Sequence, residues 1–170
     1  QLVGMMVAPA RGDTVLDACS APGGKATHLA ELMGNQGSVV ALDSDAGRLN
    51  RLSENSTRLG STIVRPVVGD AAIYREALFD KVLVDAPCSG LGTLRRDPDL
   101  RWRRTAAELP GLVLEQRALI DEGLRALAAG GRLIYATCSS EPEENEALVA
   151  DLLLARPDLR RVDLRAVGLP

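Results

Sequence analysis

The sequence predicts an α/β domain with a mostly parallel sheet and helices on both faces. Short apolar runs with strand character alternate along the chain with segments of helical periodicity. This alternation is typical of parallel sheets with right-handed crossovers, which bring the carboxyl ends of the strands to one edge. Ligands bind at that edge, near the point where the strand order reverses. The 170 residues are expected to form one domain, 1–170.

Five apolar runs bounded by turn signals are predicted as strands: 14–17, 38–43, 62–68, 79–85 and 132–137. Helical spacing of apolar residues predicts helices over 24–33, 46–59, 110–129 and 145–155. A sixth strand is predicted over 160–167, and no partner strand follows it. We therefore expect the chain to be an excerpt of a longer protein.

Composition narrows the classes of function. The net charge of −3 argues against a globally basic nucleic-acid binder. No apolar run approaches the roughly 20 residues that span a bilayer. Three cysteines without short spacings and a single histidine indicate neither a disulfide framework nor a zinc site. We expect a reducing, cytoplasmic compartment, no membrane segment and no metal.

The first predicted strand runs into the first predicted helix through Asp17-Ala-Cys-Ser-Ala-Pro-Gly-Gly-Lys25. Two glycines let the backbone approach a ligand closely, and Pro22 stiffens the turn. The free N–H groups at the start of the helix suit a carboxylate as well as a phosphate. The segment matches neither the G-x-G-x-x-G nor the G-x-x-x-x-G-K-[ST] pattern, so dinucleotides and nucleoside triphosphates are poorly supported.

Acidic residues follow four consecutive strands: Asp17, Asp43, Asp70 and Asp85. Each one alone is best explained as a turn or helix-cap carboxylate. Four at equivalent positions favour a ligand site along one rim of the sheet. Asp43 occupies the position where related folds bind ribose hydroxyls, and Asp70 could lie near the edge of an adenine.

Two cysteines follow the fourth and fifth strands, in Asp85-Ala-Pro-Cys88 and Ala136-Thr-Cys138. Such cysteines can be small core residues, but two of them beside a cofactor site favour catalysis. A thiolate that adds to C6 of cytosine makes C5 able to attack a methyl donor. Lys25 or backbone N–H groups could favour the thiolate, and Asp85 could bond the N3/N4 edge of the base. The residues alone leave open which thiol attacks.

Several motifs together resemble those of RNA cytosine-C5 methyltransferases, in particular the bacterial Sun/Fmu branch that acts on small-subunit ribosomal RNA. They are Asp17-Ala-Cys-Ser-Ala-Pro-Gly-Gly-Lys25, Asp85-Ala-Pro-Cys-Ser-Gly90, Arg95-Arg-Asp-Pro-Asp-Leu-Arg-Trp102, Tyr135-Ala-Thr-Cys-Ser139 and Glu143-Glu-Asn145. The resemblance covers nearly the whole chain. The terminal strand pair and the N-terminal RNA-binding region of the family are absent from this sequence.

The resemblance implies a Rossmann-like fold that depends on S-adenosylmethionine, and it assigns roles to individual residues. It implies Cys138 as the nucleophile and Cys88 as the thiol that helps to resolve the adduct. Asp85 and Lys25 complete the predicted catalytic set. The cofactor contacts expected are Cys19, Ser20, Ala21, Pro22, Gly23, Gly24, Lys25, Asp43, Asp70 and Asp85.

The loop after Cys88 carries five arginines around one tryptophan: Arg95, Arg96, Arg101, Arg103 and Arg104. Arginines hold phosphates, so we expect this loop to bind RNA, with ribosomal RNA as the partner implied by the resemblance. Trp102 could stack on a base, but we expect it to anchor the loop to the core. The target base must be unstacked before its C5 and C6 can be reached.

Two other functions would explain part of the sequence. A methyltransferase acting on an exocyclic amine would explain the glycine-containing loop but not the pair of cysteines. A catalytically silent RNA-binding or ribosome-assembly factor on the same fold would be indicated by loss of either cysteine, and both are present. Cytosine-C5 methylation of RNA is therefore the function that the sequence favours.

Overall fold

A five-stranded sheet forms the centre of the computed structural model, which describes residues 2–71, 74 and 78–163. The strands are β1 (Thr14–Asp17), β2 (Ser38–Asp43), β3 (Val64–Val68), β4 (Phe79–Asp85) and β5 (Leu127–Ala136). They lie in the order β3-β2-β1-β4-β5, and every neighbouring pair is parallel. The strand order therefore reverses between β1 and β4, which is where open α/β sheets bind ligands.

The register of the strands places their carboxyl ends at one edge. Asp43 lies beside Val68 across the β2–β3 pair, and Asp85 lies beside Ala136 across the β4–β5 pair. Because all the strands point the same way, the segments that follow them gather at this edge. The predicted parallel α/β architecture is confirmed.

The helices are α1 (Leu2–Val7), α2 (Gly24–Leu32), α3 (Ala46–Leu59), α4 (Leu100–Arg103), α5 (Leu109–Arg125) and α6 (Glu146–Ala155). Local sequence signals explain several of their ends. The Asp45 side chain caps α3 by accepting a hydrogen bond from the N–H of Arg48 at 3.0 Å. Gly60 ends α3 with a φ of 67°, a conformation that glycine adopts readily.

The core consists of apolar layers on the two faces of the sheet. Consecutive residues of a strand point to opposite faces, so Val15 joins one layer and Leu16 the other. One layer packs α1, α2 and α3 side chains on the sheet through Val7, Leu29, Met33, Leu49 and Leu52. The other layer includes Leu119 of α5, and α6 packs beside α5 through Ile120, Leu148 and Leu152. Helices therefore cover both faces, as predicted.

The largest difference from the predicted elements concerns the segment 126–131. The predicted helix extends to residue 129, but α5 ends at Arg125 and β5 begins at Leu127. The N–H of Phe79 donates to the carbonyl of Ala126 at 2.8 Å, so pairing with β4 extends the strand towards its amino end. The pairing partner here overrides the local helical pattern.

Two further differences lie near the ends of the chain. The apolar start forms helix α1, which the sequence analysis did not predict. Residues 160–163 of the predicted sixth strand lie in neither helix nor strand, and 164–167 lie outside the described residues. Within the described part of the chain, no helix has both the length and the apolar character needed to cross a membrane.

Truncation of Leu83 tests the packing of β4 between β1 and β5. Leu83 is fully buried, so Leu83→Ala is expected to lower the free energy of unfolding by about 2–5 kcal/mol, because it removes apolar contacts and leaves a cavity. The matched control is Leu114→Ala on α5, where the side chain is 72% exposed. Urea unfolding measures both variants, and equal losses in the two would contradict this packing.

Candidate active site

The loop between β1 and α2 is tied to both neighbours of β1. The N–H of Ala18 donates to the carbonyl of Leu83 on β4, and the N–H of Ser20 donates to the carbonyl of Leu42 on β2, each at 2.9 Å. Gly23 has a φ of 98°, and a Cβ atom there would lie 2.5 Å from Cγ of Leu52. A residue with a side chain at Gly23 would therefore push α2 away from α3 and open the loop.

Asp43 organises the same loop from the end of β2. Its carboxylate is buried and accepts hydrogen bonds from the N–H groups of Ala21 and Asp45, each at 3.0 Å. The guanidinium of Arg48 lies 3.8 Å from this carboxylate and donates to the carbonyl of Ala21 at 2.6 Å. Each carboxylate oxygen has a second lone pair, so Asp43 can still accept a ligand hydroxyl.

Asp17 behaves differently from the other strand-end acids. It is fully buried, and it is not among the residues that line the cleft at the carboxyl edge of the sheet. Burial raises the pKa of Asp17 to about 7, although a hydrogen bond from Ser20 at 2.9 Å lowers it in part. Its Oδ1 atom has no hydrogen-bond partner among the residues that the structure describes. The prediction that four acids line the rim is therefore wrong for Asp17.

The raised pKa of Asp17 makes stability depend on pH. In the folded chain the carboxyl keeps its proton up to about pH 7, whereas the ordinary value of its pKa is 3.8. The folded state therefore binds more protons between these values, and stability falls as the pH rises through them. Asp17→Asn is expected to remove this slope, which urea unfolding at several pH values measures. Asp151→Asn, at an exposed position on α6, is the control and should keep the slope.

Cys88 and Cys138 lie side by side at the carboxyl edge. Their Sγ atoms are 3.2 Å apart, and the N–H of Cys138 donates to Sγ of Cys88 at 3.3 Å. Cys138 is exposed and Cys88 is half-buried. Gly92 lies against the Cys138 loop, since its N–H donates to the carbonyl of Cys138 at 3.0 Å and a Cβ atom there would lie 2.8 Å from that oxygen. The two predicted thiols are therefore brought together.

Lys25 contacts the Asp85 carboxylate rather than a thiol. Lys25 lies in the first turn of α2, and it forms an ion pair with Asp85 at the end of β4. Both side chains are partly exposed, at 38% and 29%. The described hydrogen bonds of the two thiols are with each other and with the N–H of Cys138. The expectation that Lys25 acts next to a thiol is therefore not met by its contacts.

A cleft at the carboxyl edge joins the loop, the acids and the thiols. Seven of the predicted site residues line it: Cys19, Ala21, Asp43, Asp70, Asp85, Cys88 and Cys138. Ser20, Pro22, Gly23, Gly24 and Lys25 are not among the lining residues. Sequence reasoning missed Arg48, Glu115 and Leu119, which also line the cleft and lie within helices, away from any recognisable motif. A search of the described residues finds no group of three or more histidines, cysteines or acids that could hold a metal ion.

Comparison with known proteins places this site in a family. Residues 4–168 match the family described as 16S rRNA methyltransferase RsmB/F. The chain belongs to this family. The resemblance to the Sun/Fmu branch is thereby confirmed, as is the Rossmann-like methyltransferase fold.

Individual relatives of the RsmB/F family agree with the match. A Synechocystis protein named "Probable ribosomal RNA small subunit methyltransferase B" is 43% identical over 94% of this chain and 37% of its own length. A Vibrio cholerae protein named "Ribosomal RNA small subunit methyltransferase B" is 42% identical over 95% of this chain and 38% of its own length. Among solved structures, that of NSun6 from Pyrococcus horikoshii with SFG superposes with a TM-score of 0.83. Its sequence is 36% identical to this one, and the match covers 91% of this chain and 40% of that chain. The chain thus spans less than two fifths of the length of both curated relatives.

Two thiols of this RsmB/F family member, those of Cys19 and Cys138, have raised pKa values. Burial raises the pKa of Cys138 to about 11, and the hydrogen bond with Cys88 and the charge of Asp85 act in the same direction. Burial and the charges of Asp17, Asp43 and Asp85 raise the pKa of Cys19 to about 12. Thiolate formation at Cys138 near neutral pH therefore requires further positive charge or N–H donors close to its Sγ.

The arginine loop is organised differently from the prediction. Trp102 is 77% exposed, so it does not anchor the loop to the core, and that prediction is wrong. The Arg101 guanidinium lies over its ring, 5.1 Å from the centroid. Arg104 instead holds the loop, because its Nε donates to the carbonyl of Ser89 at 3.1 Å and it forms an ion pair with Glu108. Arg103 lies 3.7 Å from Asp99, and Arg95 and Arg96 are exposed.

Alkylation tests the raised pKa of Cys138. Only the thiolate reacts with iodoacetamide, so the alkylation rate of Cys138 is expected to rise about tenfold per pH unit from about pH 7 to about pH 9. Mass spectrometry of the Cys138 peptide measures this rate, with free glutathione as the control. A rate at Cys138 that levels off near pH 8.5, as for an ordinary cysteine, would contradict the raised pKa.

Proposed function

We propose that the protein carrying this chain transfers a methyl group from S-adenosylmethionine to C5 of a cytosine in small-subunit ribosomal RNA. The observation that carries the proposal is the pair of thiols 3.2 Å apart at the cleft. Its setting is a family described as 16S rRNA methyltransferases. Methylation of an oxygen or of an exocyclic amine requires no thiol pair, whereas addition to a pyrimidine ring requires a nucleophile.

The residues of the cleft fit S-adenosylmethionine by their chemistry. Asp43 offers acceptors for ribose hydroxyls, and Asp70 is expected near the adenine. The N–H groups at the start of α2 suit the carboxylate of the methionine moiety. The relative NSun6 is described with SFG, an analogue of S-adenosylmethionine, which supports the same ligand here. When bound, S-adenosylmethionine supplies an electrophilic methyl group.

Cys138 is the proposed nucleophile. Its thiolate donates an electron pair to C6 of the cytosine, and the electrons of the C5–C6 double bond then make C5 the attacking carbon. C5 takes the methyl group as the bond between that group and the sulfonium sulfur breaks, and S-adenosylhomocysteine leaves. A base then removes the C5 proton, the double bond re-forms and the Cys138 thiolate leaves. Cys138 is more exposed than Cys88, so the cytosine ring can reach its Sγ more easily. Cys88, whose Sγ lies next to that of Cys138, is proposed to assist the release step.

Asp85 is proposed to orient the base. It lines the cleft together with both thiols, and its carboxylate forms an ion pair with Lys25. A carboxylate at this position can accept a hydrogen bond from the amino group of cytosine. Lys25 then acts through Asp85, because it fixes the direction of that carboxylate from the first turn of α2.

The RNA is proposed to approach across the arginine loop. Arg95, Arg96 and Arg101 are exposed there and suit phosphate oxygens. The exposed ring of Trp102 offers a face on which an unpaired base can stack, which the core-anchored side chain expected from sequence could not provide. Arg104 contributes by holding the loop against Ser89, next to Cys88.

Cysteine variants of the full-length protein test the mechanism. Cys138→Ala is expected to abolish methyl transfer from tritiated S-adenosylmethionine to 16S ribosomal RNA, because no thiolate can add to C6. Cys88→Ala is expected to accumulate a protein–RNA adduct that survives denaturing electrophoresis, because release is slowed.

The matched control is Ser140→Ala, an exposed residue two positions after Cys138, which should retain full methylation. Unchanged methylation by Cys138→Ala would exclude Cys138 as the nucleophile. An adduct that appears only with Cys138→Ala would show that the two thiols have exchanged roles.

A further inference from the structure

The backbone on both sides of Cys88 is fixed by one buried carboxylate. Glu144 is fully buried, and it accepts hydrogen bonds from the N–H of Ser89 at 2.9 Å and from the Ser89 hydroxyl at 2.5 Å. Gln116, also fully buried, donates to Glu144 at 2.8 Å and to the carbonyl of Pro87 at 2.9 Å. The residues before and after Cys88 are therefore both tied to Glu144.

The backbone on both sides of Cys138 is fixed in the same way by the next residue of the chain. Asn145 accepts a hydrogen bond from the Thr137 hydroxyl at 2.7 Å. Its Nδ2 donates to the carbonyl of Ser139 at 3.2 Å and to that of Glu141 at 2.9 Å. The residues before and after Cys138 are therefore both tied to Asn145.

Further contacts join the two sets of bonds. The hydroxyls of Ser89 and Ser139, the residues that follow the two cysteines, lie 3.0 Å apart. The Tyr135 hydroxyl lies 2.8 Å from the carbonyl of Glu144 and 3.0 Å from Oε1 of Gln116. The bonds around the two cysteines therefore form one connected network.

Glu144 carries its charge at a buried position. Burial raises its pKa, but the hydrogen bonds from Ser139, Ser89 and Gln116 outweigh burial and hold the pKa below its usual value. Glu144 is therefore a buried carboxylate at neutral pH, in a place where well-packed apolar groups often give equal or greater stability. Polar networks that break such a rule are expected at functional sites.

We propose that Glu144 and Asn145, here named the Glu144–Asn145 clamp, set the distance and orientation between the two thiols. Glu144 positions Cys88, and Asn145 positions Cys138. Both are positioning residues, because they act through the cysteine loops and do not line the cleft. This proposal rests on the two-thiol mechanism proposed above. It predicts that the two residues affect different steps, with Glu144 serving release and Asn145 serving attack.

The test uses the full-length protein, protein-free 16S ribosomal RNA and tritiated S-adenosylmethionine. It measures kcat, KM for the RNA, and the fraction of protein held on RNA in denaturing electrophoresis. Glu144→Gln is expected to lower kcat about tenfold or more and to raise the adduct fraction. Asn145→Ala is expected to lower kcat similarly without raising that fraction. KM for the RNA should change less than about twofold in both, because neither residue contacts the RNA.

Glu143→Gln is the matched control, since Glu143 is exposed in the same short 3₁₀ turn and should give wild-type values. If Glu144→Gln or Asn145→Ala does not fold, Ser89→Ala removes the hydroxyl that donates to Glu144, and Thr137→Val removes the hydroxyl that donates to Asn145. These two variants should show the same two effects, each weaker. The clamp would be overturned if Glu144→Gln and Asn145→Ala both kept the wild-type kcat, or if the two variants gave equal adduct fractions. The same holds for the substitute pair, Ser89→Ala and Thr137→Val. A wild-type protein that methylates no cytosine C5 would instead overturn the proposed function.

Discussion

The parallel pairing of β4 with β5 is the constraint on which the candidate site depends. Asp85 lies beside Ala136, and the N–H of Ala86 donates to the carbonyl of Ala136 at 3.0 Å. Both strands therefore end at the same level, and each cysteine follows within three residues. A slip of one residue in this register would move one loop by about 3.3 Å along the strands and separate the thiols. The geometry of the site thus follows from backbone hydrogen bonds in the sheet before any side chain is considered.

Much of the fold could be predicted from the sequence because its signals are local. The strands 14–17, 38–43 and 79–85 begin and end as predicted, since apolar runs bounded by turns mark them. The start of β5 could not be predicted in this way. The stretch 126–129 is compatible with a helix. The chain is extended there because it pairs with Phe79 on β4, a strand that is remote in sequence. Strand boundaries set by a partner are not visible in a single segment.

Part of the candidate site could also be predicted from the sequence. The closeness of Cys88 and Cys138 follows from their positions after two strands, but the choice of nucleophile came from family resemblance. The contacts of Glu144 could not be predicted, because they join residues 28 and 55 positions apart in the chain. Trp102 was mispredicted because an aromatic residue in a polar loop is usually buried at one face. Here the ring contacts the guanidinium of Arg101 and remains largely exposed.

The reversal of strand order also places the two parts of the site on opposite sides of the β1–β4 pair. The cofactor loop follows β1 and is bonded to β2 on one side and to β4 on the other. The cysteine loops follow β4 and β5, and Gln116 of α5 is bonded to Glu144 beside them. The proposed methyl donor and nucleophile therefore reach the cleft from either side of one pair of hydrogen-bonded strands. Because β1 and β4 contribute to both apolar layers, the distance across which the methyl group would travel is set by the sheet itself.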